Sequence, residues 1–369
     1  MKTRIRFLRG AGQTGFLVFL TFCLSSLGQT PPGDLTELSL EQILSLPIVR
    51  RPTADPGLGP AMKEIPRWSI GYRYIHANFS GHRDGTDSLS NAEILATAPL
   101  TSDKRFLILP TNIRQEAHVL ELGYRASDRL SVTVLAPYIF QSTEHVSTIP
   151  GFADFTIESH GFGDVSVTPS WRAWGRGEHS LHLVGGLSVP FGSINETGDT
   201  PSPGVNNSLP YTMQIGSGTF DLLPGLAYKG GHERWSWSVQ ALATVRLGRN
   251  YRGYSLGNRY VLTGRLSRRV TDWFEPLIGL RAQSWERIDG SDPNLAVFAG
   301  PLYPASVADP RKYGGQKVNA SVGVRFHITK GPLKGGTFEF QAGVPVYQRL
   351  HGPQPEEQWQ LNGGWKLGF

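Results

Sequence analysis

From position 67 to the C-terminus, apolar and polar residues alternate along the chain with a period of two. In the segment 317–328, Val318, Val322 and Phe326 fall on one side of the alternation, and Asn319 and Arg325 fall on the other. This periodicity predicts β-strands with one apolar and one polar face. The segments 234–247 and 317–328 exceed the ~5 to 6 residues usual for strands of soluble proteins. They reach the ~9 to 11 residues that a membrane-spanning strand needs.

The alternation therefore predicts an all-β fold, an antiparallel transmembrane β-barrel of about twelve strands, an even number as in bacterial barrels. The links after even-numbered strands are short and those after odd-numbered strands are mostly long. We therefore expect short periplasmic turns, longer external loops and both ends of the barrel in the periplasm. The expected strands are 67–78, 115–125, 129–141, 161–174, 180–191, 218–229, 234–247, 258–269, 273–285, 316–329, 336–347 and 358–369.

Aromatic residues cluster at the two ends of these strands, as expected for girdles at the two membrane interfaces. In the last strand Trp365, Leu367 and the terminal Phe369 share one face, which resembles the signal read by the barrel-assembly machinery of bacteria. The girdle expected on the periplasmic side contains Trp68, Tyr124, Trp174, Tyr228, Trp235, Trp273 and Phe369, and that on the external side contains Tyr138, Phe140, Phe191, Tyr347 and Trp359.

The first 66 residues differ from the rest. Four basic residues followed by an apolar run and a small-residue cleavage site predict a signal peptide over 1–28. Leucines at helical spacing in 34–46, followed by a Pro/Gly-rich stretch, predict a periplasmic helix and linker over 29–66. The transmembrane barrel then occupies 67–369.

Charge and composition exclude several classes of protein. Four of the 36 basic residues precede position 29, leaving 32 against 30 acidic ones, so nucleic acid is not an expected partner. The single cysteine, Cys23, lies in the predicted signal peptide, so the mature chain has no disulfides. A mean hydropathy of −0.23 is too low for a bundle of membrane helices and fits a barrel, in which every second strand residue faces lipid.

Several stretches resemble the meta-pathway phenol-degradation family of outer-membrane barrels. They include SHGFGDVSVTPSWRAW (159–174), LPYTMQIGSGTFDLLPGLAY (209–228) and GPLKGGTFEFQAGVPVYQ (331–348). The resemblance covers most of 68–369. It implies placement in the cell outer membrane and a transporter-like role for small molecules, including aromatic or other apolar compounds, and it supplies no site residues.

The polar strand faces should line the barrel interior, and two interpretations of their charges remain open. One is an electropositive pore lining that concentrates anions, and the other is an Arg–carboxylate lattice that fills and stiffens the barrel. Asp164, Asp221 and Glu275 belong to the same inward set. The pore-lining candidates are Arg73, Glu121, Arg172, Arg246, Arg265, Arg281, Arg325, Glu339 and Lys366.

The sequence thus predicts an outer-membrane channel or transporter for passive passage of small molecules, including aromatic or hydrophobic compounds or anions. It is not expected to be an enzyme, and no cofactor or metal site is predicted. The expected partners are membrane lipids, lipopolysaccharide and the barrel-assembly machinery. The alternatives are a structural or adhesion barrel with partner-binding external loops, and an outer-membrane lipid hydrolase, for which His76 lies on the lipid side but no G-x-S-x-G motif is present.

Overall fold

The structure is a computed structural model, and it describes residues 66–97, 102, 104–201, 207–295 and 302–369. The predicted signal peptide (1–28) and the predicted periplasmic helix and linker (29–66) lie outside the described residues, apart from Pro66. Among the residues described, no helix has the length and apolarity needed to cross a membrane.

The described chain is built almost entirely of strands, with one short helix, α1, at Asn91–Ile94 and a few 3-10 turns. Most expected strands match observed ones within a few residues. The strands are β1 Trp68–Gly85, β2 Asp87–Leu89, β3 Ile108–Arg125, β4 Leu130–Ser147, β5 Asp154–Phe162, β6 Val165–Arg176, β7 His179–Val189, β8 Asp221–His232, β9 Trp235–Arg246, β10 Tyr254–Ser255, β11 Arg259–Arg268, β12 Phe274–Trp285, β13 Asp289–Gly290, β14 Gly315–His327 and β15 Thr337–Gly368.

Eleven of these strands close into one antiparallel ring. The main sheet contains thirteen strands, of which β2 and β5 lie outside the path from β15 to β1, and β15 pairs with β1 to close it. The expected count of about twelve is therefore corrected to eleven. The difference lies in β15, whose 32 residues cover both of the last two expected strands.

The strand β15 must double back on itself. Every pairing in the ring is antiparallel, and an odd number of straight strands cannot close that way. Residues up to Leu350 pair with β14, and residues from Leu350 to Gly368 pair with β1. The side-chain amide of Gln348 and the backbone of Glu357 exchange two hydrogen bonds of 3.0 Å between the two arms.

A second departure from expectation lies around the fourth predicted strand, 161–174, most of which forms β6. The segment before it was expected to be an external loop, but it forms the additional strand β5. Both strands pair with β4, but only β6 continues the ring to β7. The break falls at Gly163 and Asp164, where the Asp164 carboxylate accepts hydrogen bonds from the backbone N–H groups of Gly192 (2.9 Å) and Ser217 (2.9 Å). These bonds tie the loop between β7 and β8 to the wall at the point where the ladder is interrupted.

The outward face of the ring is an apolar band, and its large exposed side chains include Leu120, Leu280 and Val322, at 58%, 58% and 64% exposure. Such a continuous apolar surface on a closed ring, with no free strand edge, is the arrangement that lipid requires. Aromatic residues border it, and Trp68 packs on Tyr124 with ring centroids 4.5 Å apart. Exposed at the short-turn end are Trp174, Trp235, Trp273 and Phe369, and exposed at the other end are Phe140, Phe191, Tyr347 and Trp359.

Candidate functional site: the barrel interior

The strand alternation places all nine candidate pore-lining side chains on the inward phase. In β1 this phase contains the buried Ile75 and Ala77, and the opposite phase contains the exposed Trp68 and Ile70. A permeation role for these residues stays a prediction. Their contacts, however, distinguish those that act together from those that do not.

One group of charges joins the first and last strands of the ring. Glu121 on β3 and Lys366 on β15 both lie opposite Gly71 of β1, whose missing side chain leaves room for them. The Glu121 carboxylate accepts a hydrogen bond from Arg73 Nη2 at 3.3 Å and pairs with Lys366 Nζ. The ring closure between β1 and β15 is therefore bridged by ion pairs on the inner wall.

A second group connects β11, β12, β14 and β15. Arg325 donates to Glu275 Oε1 at 2.8 Å and to Glu339 Oε2 at 2.5 Å, and Arg265 donates to Glu339 Oε1 at 2.9 Å. The fully buried Glu275 also accepts from His327 Nε2 (2.7 Å). A carboxylate buried this deeply is tolerated only when its oxygens are bonded in this way.

The two groups form one charged network, because Arg73 also interacts electrostatically with Glu339. The network contains four permanent cations and three carboxylates, so its charges nearly balance. That balance fits the stiffening lattice better than an electropositive lining. Its members are Arg73, Glu121, Lys366, Arg265, Arg325, Glu339, Glu275 and His327.

The other three candidates lie apart from this network. Arg246 donates to Asp221 at 2.5 Å, and the side chains are 4% and 0% exposed. Arg281 lies opposite Asn319 on β14, and Arg172 lies opposite His182 on β7, beside a bulge. The structure therefore brings together six of the nine candidates.

A further buried ion pair, which the sequence pattern did not predict, lies in the upper lumen. Lys317 on β14 bonds to Glu357 on β15, and Asn319 Nδ2 donates to the same carboxylate at 2.6 Å. Lys317 and Asn319 lie on the polar side of a predicted strand, so the alternation of the sequence predicts their inward position. Glu357 preceded the last predicted strand, and nothing in the local pattern indicated its position.

An apolar layer lies inside the lumen, along the wall formed by β1, β3, β4 and β8. Leu135 and Ile139 on β4 cluster with Leu223 on β8, a strand separated from β4 by β6 and β7 in the ring. Ile75 and Val119 from β1 and β3 belong to the same cluster, as does Ile215 from the loop after β7. Side chains from distant strands therefore meet inside the barrel.

The external loops pack against one another over this layer. Tyr211, from the loop after β7, contacts Tyr254 and Tyr313 with ring centroids 4.7 and 5.6 Å apart. Its hydroxyl accepts a hydrogen bond from the backbone N–H of Asp292 at 2.8 Å, and Asp292 pairs with Arg252 at 2.5 Å. Burial raises the pKa of Tyr211, so it stays neutral. We refer to Tyr211, Tyr254 and Tyr313 as the tyrosine plug.

The hydrolase alternative requires a serine hydroxyl activated by an imidazole. Ser267, Glu275 and His327 are in contact, but the carboxylate lies between the hydroxyl (2.6 Å) and the imidazole (2.7 Å). A nucleophile needs its hydroxyl on the imidazole, so this order does not provide one. His76 on the outer wall contacts Glu116 and Tyr74. In the described part of the chain no group of three or more potential ligands could hold a metal ion.

Comparison with known proteins shows the fold and not the family. The sequence matches no protein-family model and no curated protein, so the resemblance to the phenol-degradation family is not confirmed. The structure is similar to an outer membrane channel from Pseudomonas putida, at 16% identity and a TM-score of 0.53, covering 85% of this chain and 99% of that one.

Two further solved barrels superpose less well. The transport unit of the autotransporter AIDA-I from Escherichia coli has 11% identity, covers 88% of this chain and 94% of its own, and gives a TM-score of 0.43. The toluene transporter TbuX from Ralstonia pickettii has 8% identity, covers 82% and 90%, and gives 0.37. The chain has the fold of an outer-membrane β-barrel, and its exposed apolar band lies in the outer membrane.

Proposed function

We propose that this protein is an outer-membrane channel or transporter through which small molecules with an apolar part cross passively. The observation that carries the proposal is the apolar layer inside the lumen, between the charged network and the tyrosine plug. A hydrated ion or sugar loses water contacts at such a layer without gaining hydrogen bonds, whereas an aromatic or aliphatic molecule loses little. Aromatic and other hydrophobic compounds therefore fit the interior better than anions do.

The packing of the external loops favours a conduit over an adhesin. An adhesion barrel presents its loops to a partner, but here their tyrosines and aliphatic side chains are buried against each other in the mouth of the barrel. Passage then requires the tyrosine plug to move. Gating of this kind is common where loops cover a binding site.

The apolar layer can be tested with Leu223, which is 1% exposed. The rate at which a small aromatic fluorescent probe enters proteoliposomes is measured without an energy source. The permeation of sugars is measured in parallel by liposome swelling. We expect Leu223→Asn to slow probe uptake about tenfold, equivalent to ~1.4 kcal/mol, and the matched Leu223→Met variant to leave it within twofold. Equal uptake by the two variants, or free passage of sugars through the wild type, would contradict the proposal.

The role of Arg265 distinguishes the two interpretations of the inner charges. Because Arg265 pairs with Glu339 and is 11% exposed, we expect Arg265→Ala to lower the unfolding temperature and leave the anion-to-cation permeability ratio unchanged. Reversal potentials in planar bilayers under a salt gradient measure the ratio. A shifted ratio with unchanged stability would instead support an anion-selective lining.

The C-terminal strand supports interaction with the barrel-assembly machinery. Trp365, Leu367 and Phe369 share the outward face, and Phe369 exchanges backbone hydrogen bonds of 2.9 and 3.1 Å with Trp68 across the ring closure. We expect deletion of Phe369 to reduce the heat-modifiable, folded band on unboiled gels while export to the periplasm continues. Unchanged assembly would mean that Phe369 only packs against lipid.

A further inference from the structure

The outer wall carries a cluster of three histidines where the lipid-facing surface approaches the external loops. In the strand register His76 of β1 lies opposite Glu116 of β3, and His118 of β3 lies opposite Tyr138 of β4. His160 of β5 lies opposite Phe140 of β4. We define the imidazole patch as His76, His118 and His160 with the side chains that hold them, Glu116, Tyr72 and Tyr138.

Each imidazole of the patch is held through the same ring nitrogen. The Tyr72 hydroxyl contacts His118 Nδ1 at 2.7 Å, and the Tyr138 hydroxyl contacts His160 Nδ1 at 3.2 Å. Glu116 contacts His76 Nδ1 at 3.3 Å. The Nε2 atom of all three has no hydrogen-bond partner among the described residues. Where the tyrosine donates, Nε2 carries the proton and is a donor.

Aromatic rings surround the histidines and fix their orientation. His76 stacks on Trp359 with ring centroids 4.9 Å apart, and His118 meets the edge of Phe140 at 5.6 Å. Phe140 and Phe162 are 43% and 53% exposed on the same face. The patch therefore offers N–H donors set in an amphipathic aromatic surface, as at membrane interfaces.

The outward apolar run is shorter on β3 than on β14. On β3 the outward residues change from Tyr124, Leu122 and Leu120 to His118 after six positions, which is about 15 Å in height at ~3.3 Å per residue and a tilt of ~40°. On β14 the outward residues are apolar from Phe326 to Val318, about 20 Å by the same geometry. His118 therefore lies close to the apolar residues of its own strand, where an unpaired polar group is costly.

We propose that the imidazole patch binds the phosphate groups of lipopolysaccharide in the outer leaflet. The outer leaflet of this membrane consists of lipopolysaccharide, whose lipid A carries phosphates at the border between sugars and acyl chains. The Nε2–H donors of His118 and His160 match phosphate oxygens at that height, and the exposed rings pack against the adjoining acyl chains. Arg114, two positions beyond Glu116 on β3 and opposite Asn78, supplies a permanent cation at the rim.

The carboxylates near the patch are already engaged or lie at its edge. Glu116 contacts His76, and Glu144 pairs with Arg114 at 3.2 Å. Glu158 lies opposite Ser142 on the same face, beyond the histidines. Because these three carboxylates are paired or lie at the edge, the centre of the patch presents the Nε2 atoms of the histidines.

The test compares lipid A with and without its phosphates. Purified wild-type protein in nanodiscs is titrated with bisphosphorylated lipid A and with enzymatically dephosphorylated lipid A, and bound lipid is counted by native mass spectrometry. We expect at least tenfold tighter binding of the phosphorylated form. The double variant His118→Phe/His160→Phe should lose this preference, since phenyl rings keep the packing but have no N–H.

A matched control exists at the other end of the barrel. His179 at the start of β7 contacts the Tyr228 hydroxyl through Nδ1 at 2.7 Å, the same arrangement at the periplasmic interface. His179→Phe should keep the tenfold preference. Equal binding of both lipids by the wild type overturns the proposal, even if the double variant fails to assemble. The proposal is also overturned if the wild type forms a dimer that the double variant loses while lipid A binding stays unchanged. The patch would then be a contact between two copies of the chain.

Discussion

Replacing Arg325 by methionine provides the sharpest test of the charged network. Arg325 bridges Glu275 at 2.8 Å and Glu339 at 2.5 Å, with side-chain exposures of 13%, 0% and 24%. Methionine is shorter than arginine but unbranched, flexible and uncharged, so the change removes both ion pairs and keeps the apolar part of the packing. Glu339 keeps its bond to Arg265, and Glu275 keeps its bond to His327.

The magnitude follows from the burial of the partner that remains. Two charges 4 Å apart at an effective dielectric constant of ~20 attract by about 4 kcal/mol, and desolvation offsets much of this while the pair is intact. When Arg325 is removed, the buried Glu275 carboxylate keeps its hydrogen bonds but loses the permanent cation that pairs with it. We therefore expect Arg325→Met to lower the free energy of unfolding by ~3 to 5 kcal/mol.

An exposed ion pair on the outer wall serves as the control. Arg114 and Glu144 are 3.2 Å apart, with side-chain exposures of 57% and 48%. Solvent screens such a pair, so Arg114→Met should cost less than ~1 kcal/mol. Unfolding by urea in phospholipid vesicles, followed by tryptophan fluorescence and the heat-modifiable band, measures both.

The refuting result is equal destabilisation by the two variants. It would mean that water or counter-ions in the lumen neutralise Glu275 as well as Arg325 does, and the stiffening lattice would be abandoned. A large loss for Arg325→Met that is recovered in the double variant Arg325→Met/Glu275→Gln would identify the uncompensated carboxylate as its cause. A double-mutant cycle of this kind isolates the pair.

Two further predictions concern topology and packing. On intact cells an impermeant thiol reagent should label Asp199→Cys, and it should label Ser127→Cys only after the outer membrane is broken. It should leave Asp292→Cys unlabelled because Asp292, although on the external side, is 2% exposed. Labelling of Ser127→Cys on intact cells would reverse the topology. Gly216→Ala places a Cβ 2.3 Å from the carbonyl oxygen of Gly192 and should destabilise the barrel by ~1 to 3 kcal/mol. Gly185→Ala is the control, because a Cβ there has no atom within 4 Å and should change the unfolding midpoint little. Equal midpoints for the two variants would show that the loop after β7 shifts without cost.

Sequence alternation determined the class of fold and the face of each strand. A period of two is a local property, since neighbouring side chains of a strand point to opposite sides whatever the strand pairs with. For that reason the inward phase of Arg73, Arg265 and Glu339 and the outward phase of His76 and Phe369 were readable from the chain alone. The girdles followed from the same alternation and the strand ends.

Tertiary structure decided which of these residues meet. The charged network depends on the register between strands, and the pairing of Arg265 with Glu339 joins residues from β11 and β15 that no local pattern relates. The division of β5 from β6 arises because Asp164 binds the returning loop at Gly192 and Ser217. The doubling back of β15 follows from ring closure, which requires an even number of antiparallel passes.

The loops show the same limit most clearly. Tyr211, Tyr254 and Tyr313 come from three loops without periodicity, and their packing depends on where the strand ends lie around the ring. The imidazole patch likewise exists only because the register places His76, His118 and His160 on one wall. Periodicity fixes the direction of a side chain along one strand, and only the closed ring fixes its neighbours.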